Sequence, residues 1–238
     1  DDNQHTIIAL KRGKEAITLE PGGQIELSGA PLDNIHETCE ETTNHLKELK
    51  KIGNELNFVL LGMGVEPNQS LDDIPWIPKQ RYGIMKKYMT QVGTLGHHMM
   101  KRTCTNQVNI DYSSEEDMIE KLRLMFNLES IATAMFANSP FDQGKISKYK
   151  SLRSHFWHHT DSDRTGLLPF VFENGFSFEK YTDYAINVPM YFINRNYKYI
   201  DMTKYTFKEY LNENSNNQDD AILLKDWEDH LTTLFPQV

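Results

Sequence analysis

Two carboxylates, Glu20 and Glu26, stand on either side of a Pro21-Gly22-Gly23 turn. Residue types at this spacing suit a hard cation or a phosphate-bearing ligand, because Mg2+ is usually held by one or two carboxylates together with phosphate oxygens. Successive strand side chains point to opposite faces. Ala16, Thr18 and Glu20 share one face before the turn, and Gln24, Glu26 and Ser28 alternate with Ile25 and Leu27 after it. A hairpin here would gather Glu20, Gln24, Glu26 and Ser28 on one polar surface and turn Ile17 and Leu19 the other way. Spacing leaves a second reading open, a solvent-facing hairpin whose glutamates are ordinary polar decoration.

Three further groups carry chemistry. Gln107, Asn109 and Asp111 alternate with Val108, Ile110 and Tyr112, so a strand would present two amides and a carboxylate to a cavity or to solvent. Arg153 and Arg164 flank Trp157, and guanidinium forks suit carboxylate or phosphate, which makes a substrate clamp one reading and surface arginine the other. His155, His158 and His159 with Asp161 and Asp163 suggest a transition-metal site, which needs converging ligands that a loop does not guarantee. This group carries the rival reading, a metal-dependent hydrolase. His97 and His98, beside Met99 and Met100, read as structural. Neither common glycine-rich nucleotide fingerprint occurs, nor does a Gly-x-Ser-x-Gly elbow.

The elements that must position these residues follow from periodicity. Thr6–Leu10 is strand-like. Asp33 is the expected N-cap of a helix whose Ile35, Cys39, Thr42, Leu46, Leu49 and Ile52 form a buried stripe, with Gly53 as its stop. Phe58–Gly62 reads as a buried strand, 67–78 as a loop, Arg81–Val92 as a short helix ended at Gly93 and Gly96, and Thr103–Tyr112 as a strand. Ser113–Asp117 opens a helix through Phe126 by a capping box, and a second helical stretch reaches Ala134. Ala137–Phe141 is a turn, Phe176–Ile186 a helix, Met190–Ile193 with Lys198–Ile200 a hairpin, 212–220 a polar loop and Trp227–Leu234 a closing helix. The absence of repeats and linkers implies one compact α+β unit.

The 238 residues can bury one substantial core or two modest ones, and a net charge of −9 with no basic tract argues against a nucleic-acid partner. No apolar run approaches the roughly 20 residues of a membrane span. Two cysteines, Cys39 and Cys104, fit a reducing compartment. These features lead to a soluble, cytoplasmic expectation, or a plastid one for a plant protein. The first residue is Asp rather than Met and the last segment is apolar, which leads to the expectation of a fragment from a longer protein.

Taken together, the segments resemble the plant-type glutamate–cysteine ligases shared by plants and many proteobacteria. The matching text is Ile17–Pro31, His36–Cys39, Ile77–Tyr82, Arg102–Thr105, Gln107–Asp111, Ile131–Ala134, Ala137–Phe141, Arg153–His155 with Trp157, Asp163–Phe172, Val188–Phe192 and Asp226–Pro236. The resemblance runs in order over nearly the whole chain. It implies ATP- and Mg2+-dependent joining of the γ-carboxyl of L-glutamate to the amine of L-cysteine through γ-glutamyl phosphate, giving γ-glutamylcysteine, ADP and phosphate in the first step of glutathione synthesis. A related ligase acting on another amine, or an inactive fragment, are the alternatives.

The resemblance also implies roles. Glu20 and Glu26 would hold metal. Arg153 and Arg164 would be catalytic clamps for substrate carboxylate or phosphate. Gln24, Ser28, Gln107, Asn109, Asn138, Ser139 and Trp157 would line the substrate and nucleotide site. The implied fold is a curved, mostly antiparallel sheet with a polar concave face surrounded by helices, as in glutamine synthetase, and residues 1–238 would be one incomplete catalytic domain, monomeric or homodimeric. Family members carry a Gly-x-Glu-x-Glu type strand before this segment and a Glu-Met-Arg segment after it, and neither is found in these residues. Lys148 stands where relatives usually have Gly, and Gly83 where an acidic residue is common. Cys39 matches a position that plant members use for redox control.

Overall fold

The computed structural model describes residues 9–214 and 222–236. The chain is α+β. Strands β1 (Ala9–Arg12), β2 (Glu15–Leu19) and β3 (Ile25–Ser28) lead into α1 (Ile35–Leu56), α2 (Gln80–Val92), α3 (Gly96–Arg102) and α4 (Glu115–Phe136). There follow β4 (Phe141–Asp142), β5 (Lys145–Ile146), α5 (Leu152–His158) and β6 (Thr165–Gly166), with a 3-10 turn at Pro169–Phe172. The chain closes through α6 (Phe178–Asn187), β7 (Phe192–Arg195), β8 (Lys198–Asp201), α7 (Phe207–Asn214), α8 (Leu224–Leu231) and β9 (Phe235–Pro236). Among the described residues these strands form four small sheets, β1-β2-β3, β4-β5 and β7-β8 antiparallel and β6-β9 parallel, where one curved sheet was expected.

One apolar cluster joins α2, α3, α5 and β7 through Tyr82, Met89, Met100, Phe156 and Phe192. A second packs Phe126 of α4 on Leu168, Val171 and Phe176. The α2–α3 corner depends on Gly93. A Cβ there would lie 1.9 Å from the Thr160 carbonyl oxygen, and the next two amides, of Thr94 and Leu95, both donate to the His159 carbonyl. The expected Gly93/Gly96 break is therefore present, and its cause is close backbone approach rather than a left-handed turn.

The helix expectations hold with shifted ends. α1 is capped by Asn34, whose side chain accepts from the amides of His36 and Glu37, and not by Asp33. It runs past Gly53 to Leu56 and ends on Asn57 in the left-handed region. Ser114 caps α4, which is continuous to Phe136, and Ser177 caps α6. The expected closing helix starts earlier, at Leu224. α3 and α5 were not expected. Both are only two turns long, too short for periodicity to register.

Two burial expectations are corrected. The apolar stripe of α1 is exposed, with Ile35 at 75% and Leu46 at 59%, and Cys39 is exposed as well. The segments Phe58–Gly62 and 104–112 contain no strand, and Val59, Leu61, Val108 and Ile110 face solvent. They meet only at their base, where Val65 bridges Thr103, Cys104 N–H donates to Gly64 and Glu66 N–H donates to Arg102. Alternation of side chains specifies a face, but a strand needs a ladder partner, and none lies alongside either segment among the described residues. The strand-like Thr6–Leu10 falls partly, and the 212–220 loop largely, outside the described residues.

Candidate active site

The β2–β3 hairpin has the expected register. Thr18 pairs with Glu26 and Leu19 with Ile25, which puts Glu20 and Glu26 on the same polar face. Backbone bonds from Glu20 N–H to Gln24 and from Gly23 N–H to Glu20 close the turn, with Gly23 at φ 86°.

The turn is fixed in place from outside. Gln24 Nε2 donates to the carbonyls of Met100 (3.2 Å) and Thr103 (3.0 Å), while its Oε1 accepts from Gly22 N–H at 2.9 Å. Gly22 abuts α3 so closely that a Cβ would lie 2.1 Å from the Lys101 carbonyl oxygen. On the other side Ile77 N–H donates to Pro21, and Lys79 Nζ and Tyr82 Oη both reach the Leu19 carbonyl. Gln24 is thus an anchor, and its amide is committed to the protein instead of facing a ligand. Gln24→Ala, which strands these backbone groups, is expected to cost about 1–3 kcal/mol in a urea melt.

Glu20 and Glu26 interact directly. Burial raises the Glu20 carboxyl above its usual range, and the adjacent Glu26 charge and hydrogen bond raise it further, against the lowering effect of Lys79 and Arg81. Two neighbouring carboxylates, the charge of Glu26 disfavouring ionisation of Glu20, form a donor set suited to a divalent hard cation. Ser28 Oγ donates to Glu26 at 3.4 Å, a long contact that orients the carboxylate. Gln107 donates to Asn109 on the exposed 104–112 segment, and among the described residues no hydrogen bond or ion pair joins either to the hairpin.

The two arginines part company. Arg164 is fully buried. Its Nε donates to Asp161 at 2.6 Å, Nη1 to Thr233 Oγ1 at 3.1 Å and Nη2 to the Pro189 carbonyl at 2.6 Å, and its guanidinium lies 3.8 Å from the Tyr191 ring centroid. That geometry ties the turn after α5, the segment between α6 and β7 and the α8–β9 corner together and leaves the guanidinium no face toward a ligand. Arg153 is the opposite case. It lies 5.5 Å from the Trp157 ring centroid, and neither its Nε nor Trp157 Nε1 has a partner among the described residues. Burial lowers its pKa, and no carboxylate opposes it. Ser139 is buried and accepts from the Arg153 amide, so it sets the start of α5, and Asn138 donates to the Gly62 carbonyl at 2.5 Å.

The histidine group does not converge. Asp161 is taken by Arg164, His155 stacks on Tyr149 at 4.2 Å, and His158 and His159 are exposed. Among the described residues no group of three or more His, Cys, Asp or Glu could hold a metal ion, which removes the basis for the hydrolase reading. No helix among the described residues is long and apolar enough to cross a membrane. The sequence reading assigned no role to Lys79 and Arg81, which stand beside the carboxylate pair. Their signal was present: a cation at the cap and another in the first turn of α2 oppose the helix dipole.

A sequence model of glutamate-cysteine ligase family 2 matches residues 3–238. The chain is similar to the chloroplastic glutamate–cysteine ligase B of Oryza sativa subsp. japonica, 53% identical over 236 residues, covering 99% of this chain and 48% of that protein. It is also similar to the chloroplastic ligases of Medicago truncatula and Arabidopsis thaliana, each 54% identical over 233 residues and 98% of this chain, and covering 46% and 45% of those proteins. The chain therefore spans about half the length of the curated relatives it matches. The cytoplasmic expectation is overturned by these relatives, all of which are chloroplastic.

Proposed function

Since the chain belongs to glutamate-cysteine ligase family 2, we propose that it supplies the metal and phosphate wall of an ATP-dependent ligase joining the γ-carboxyl of L-glutamate to the amine of L-cysteine. The observation that carries the reading is the Glu20–Glu26 carboxylate pair on the polar face of an anchored hairpin. A γ-carboxylate oxygen attacks the terminal phosphorus of ATP and ADP leaves. The cysteine amine then attacks the acyl carbon of γ-glutamyl phosphate, losing a proton as phosphate departs. Bound between Glu20 and Glu26, Mg2+ would supply the positive charge that screens the phosphate oxygens.

The chain's own residues do the positioning. Gln24 and Gly22 hold the hairpin against α3. Arg153, whose Nε has no partner among the described residues, takes a substrate carboxylate or phosphate, with Trp157, Asn138 and Ser139 shaping its surroundings. Arg164 acts from the core as a structural tie and takes no part in binding substrate. Gln107, Asn109 and Ser28 complete the polar wall. In this reading 1–238 is part of a single catalytic domain on a glutamine-synthetase-like curved sheet, monomeric or homodimeric and plastid-located.

An acceptor screen tests the substrate. With ATP and glutamate, cysteine is expected to give far more phosphate release than alanine, serine or 2-aminobutyrate in the full-length protein carrying these residues. Equal turnover with all four would assign another acceptor. The 238-residue chain assayed alone tests whether half the family length suffices.

A further inference from the structure

Beside the acidic pair stands a cationic one. Lys79 Nζ sits 2.6 Å from the carbonyl of Leu19, the residue before Glu20, and the Arg81 guanidinium lies 5.3 Å from the ring centroid of Tyr82, whose hydroxyl reaches the same carbonyl. Both cations are near enough to Glu20 to affect its charge. Yet among the described residues no ion pair within 4 Å links Lys79 or Arg81 to Glu20 or Glu26.

Like charges thus stand together twice over, carboxylate by carboxylate and ammonium by guanidinium, and opposite charges next to each other do not close. In a free surface patch, flexible side chains would relax into ion pairs. Here the anchored backbone keeps them apart: the Leu19 carbonyl holds Lys79, and Tyr82, buried in the core, carries Arg81. Each pair then has an unmet need. The carboxylates need a dication, and the cations need an anion with several oxygens. A metal-bound polyphosphate meets both needs at once, since its oxygens bridge from the metal to the cations.

We propose that Lys79 and Arg81 bind the phosphate oxygens of the nucleotide across from the Glu20–Glu26 pair. This rests on the ligase reading of the same site. Arg81 provides the fork and Lys79 a point charge held at the hairpin edge. Together they do for the transferring phosphoryl group what the sequence reading assigned to Arg164.

The test uses the full-length protein carrying these residues, with Mn2+ as the metal probe and ADP and pyrophosphate as anion probes. Arg81→Ala and Lys79→Ala are expected to weaken ADP and pyrophosphate binding by about tenfold or more in calorimetry. Mn2+ binding without nucleotide, read by electron paramagnetic resonance, should hold or tighten, because a repelling cation has gone. Arg81→Lys should recover part of the ADP affinity, which a merely structural arginine would not explain. KM for ATP should rise and KM for glutamate should not.

ADP affinity within about twofold of wild type in both alanine variants overturns the proposal, as does a rise confined to the glutamate KM, which would give these cations a carboxylate instead. Wild-type protein that binds neither Mn2+ nor ADP overturns the ligase reading itself, and this inference with it. Should Arg81→Ala melt early, Arg81→Gln, which keeps the volume and hydrogen-bonding reach, gives the same readouts.

Discussion

Arg164→Ala is expected to cost about 3–5 kcal/mol of folding stability, because it strands Asp161 as a buried carboxylate with no counter-charge. That is a large share of the roughly 5–15 kcal/mol that separates folded from unfolded domains. Arg164 and Asp161 both have fully buried side chains, and the guanidinium also serves Thr233 and the Pro189 carbonyl. Arg164→Lys should recover little, since an ammonium cannot reach three directions in one plane. Paired replacement by Met at 164 and Asn at 161 should recover more, because no charge is then left unpaired. Urea melts read all three. In the full-length enzyme, turnover should fall with the folded fraction while KM for every substrate stays put. A KM that rises several-fold at unchanged stability would return Arg164 to the substrate site.

Glu26→Gln should act in the opposite sense. In the full-length protein it is expected to lower turnover with glutamate, cysteine and ATP by about 100-fold or more, the scale on which loss of a charge-stabilising group at a phosphoryl-transfer site is felt. Glu37→Gln, on exposed α1, should leave turnover unchanged. Stability at neutral pH should rise. The Glu20 carboxyl is raised in the folded state by burial and then by Glu26, so between its unfolded and folded values the native chain binds more protons than the unfolded one. Stability from this group therefore falls as pH rises through that window, and the deficit persists at neutral pH. Removing the Glu26 charge lessens the deficit. The variant's gain over wild type should be absent well below pH 4, where both states carry the proton, and grow toward pH 7. A variant that loses activity and stability together would identify Glu26 as a structural residue.

What could be read from sequence was whatever depends on neighbours along the chain. The hairpin register, the Gly93 break, the α4 cap and the β7–β8 hairpin follow from alternation, turn chemistry and capping, and all are present. What could not be read depends on partners distant in sequence. Nothing near Arg164 in the chain reveals that Thr233 and Pro189 will enclose it. Gln24 looks like a ligand-binding amide until the carbonyls of Met100 and Thr103 come to meet it. The α1 stripe and the 104–112 alternation fail because burial is a property of what covers a face: on α1 the less exposed positions are Glu41, His45, Leu49 and Gly53, and on 104–112 both sets of side chains are open to solvent. Lys79 and Arg81 were legible only as a breach of the helix-dipole rule, a signal that carries weight once the carboxylates are found beside them.

The anchoring of the Pro21–Gln24 turn makes the hairpin a lever with its fulcrum at the tip rather than at the base. The turn, ordinarily the freest part of a hairpin, is here the part most closely held by residues outside it. The far end is tied to α1 by an exposed ion pair from Arg12 to Glu48, a kind of contact that contributes little, and by the Ala30 amide, which donates to Glu41 at 2.8 Å. Glu20 lies beside the pivot and Glu26 two residues beyond Gln24 along β3. Glu20 therefore sits next to the anchored tip, and Glu26 on the strand that leaves it. Under the proposed function, Glu20 would be the metal ligand beside the anchored turn and Glu26 the ligand carried on β3.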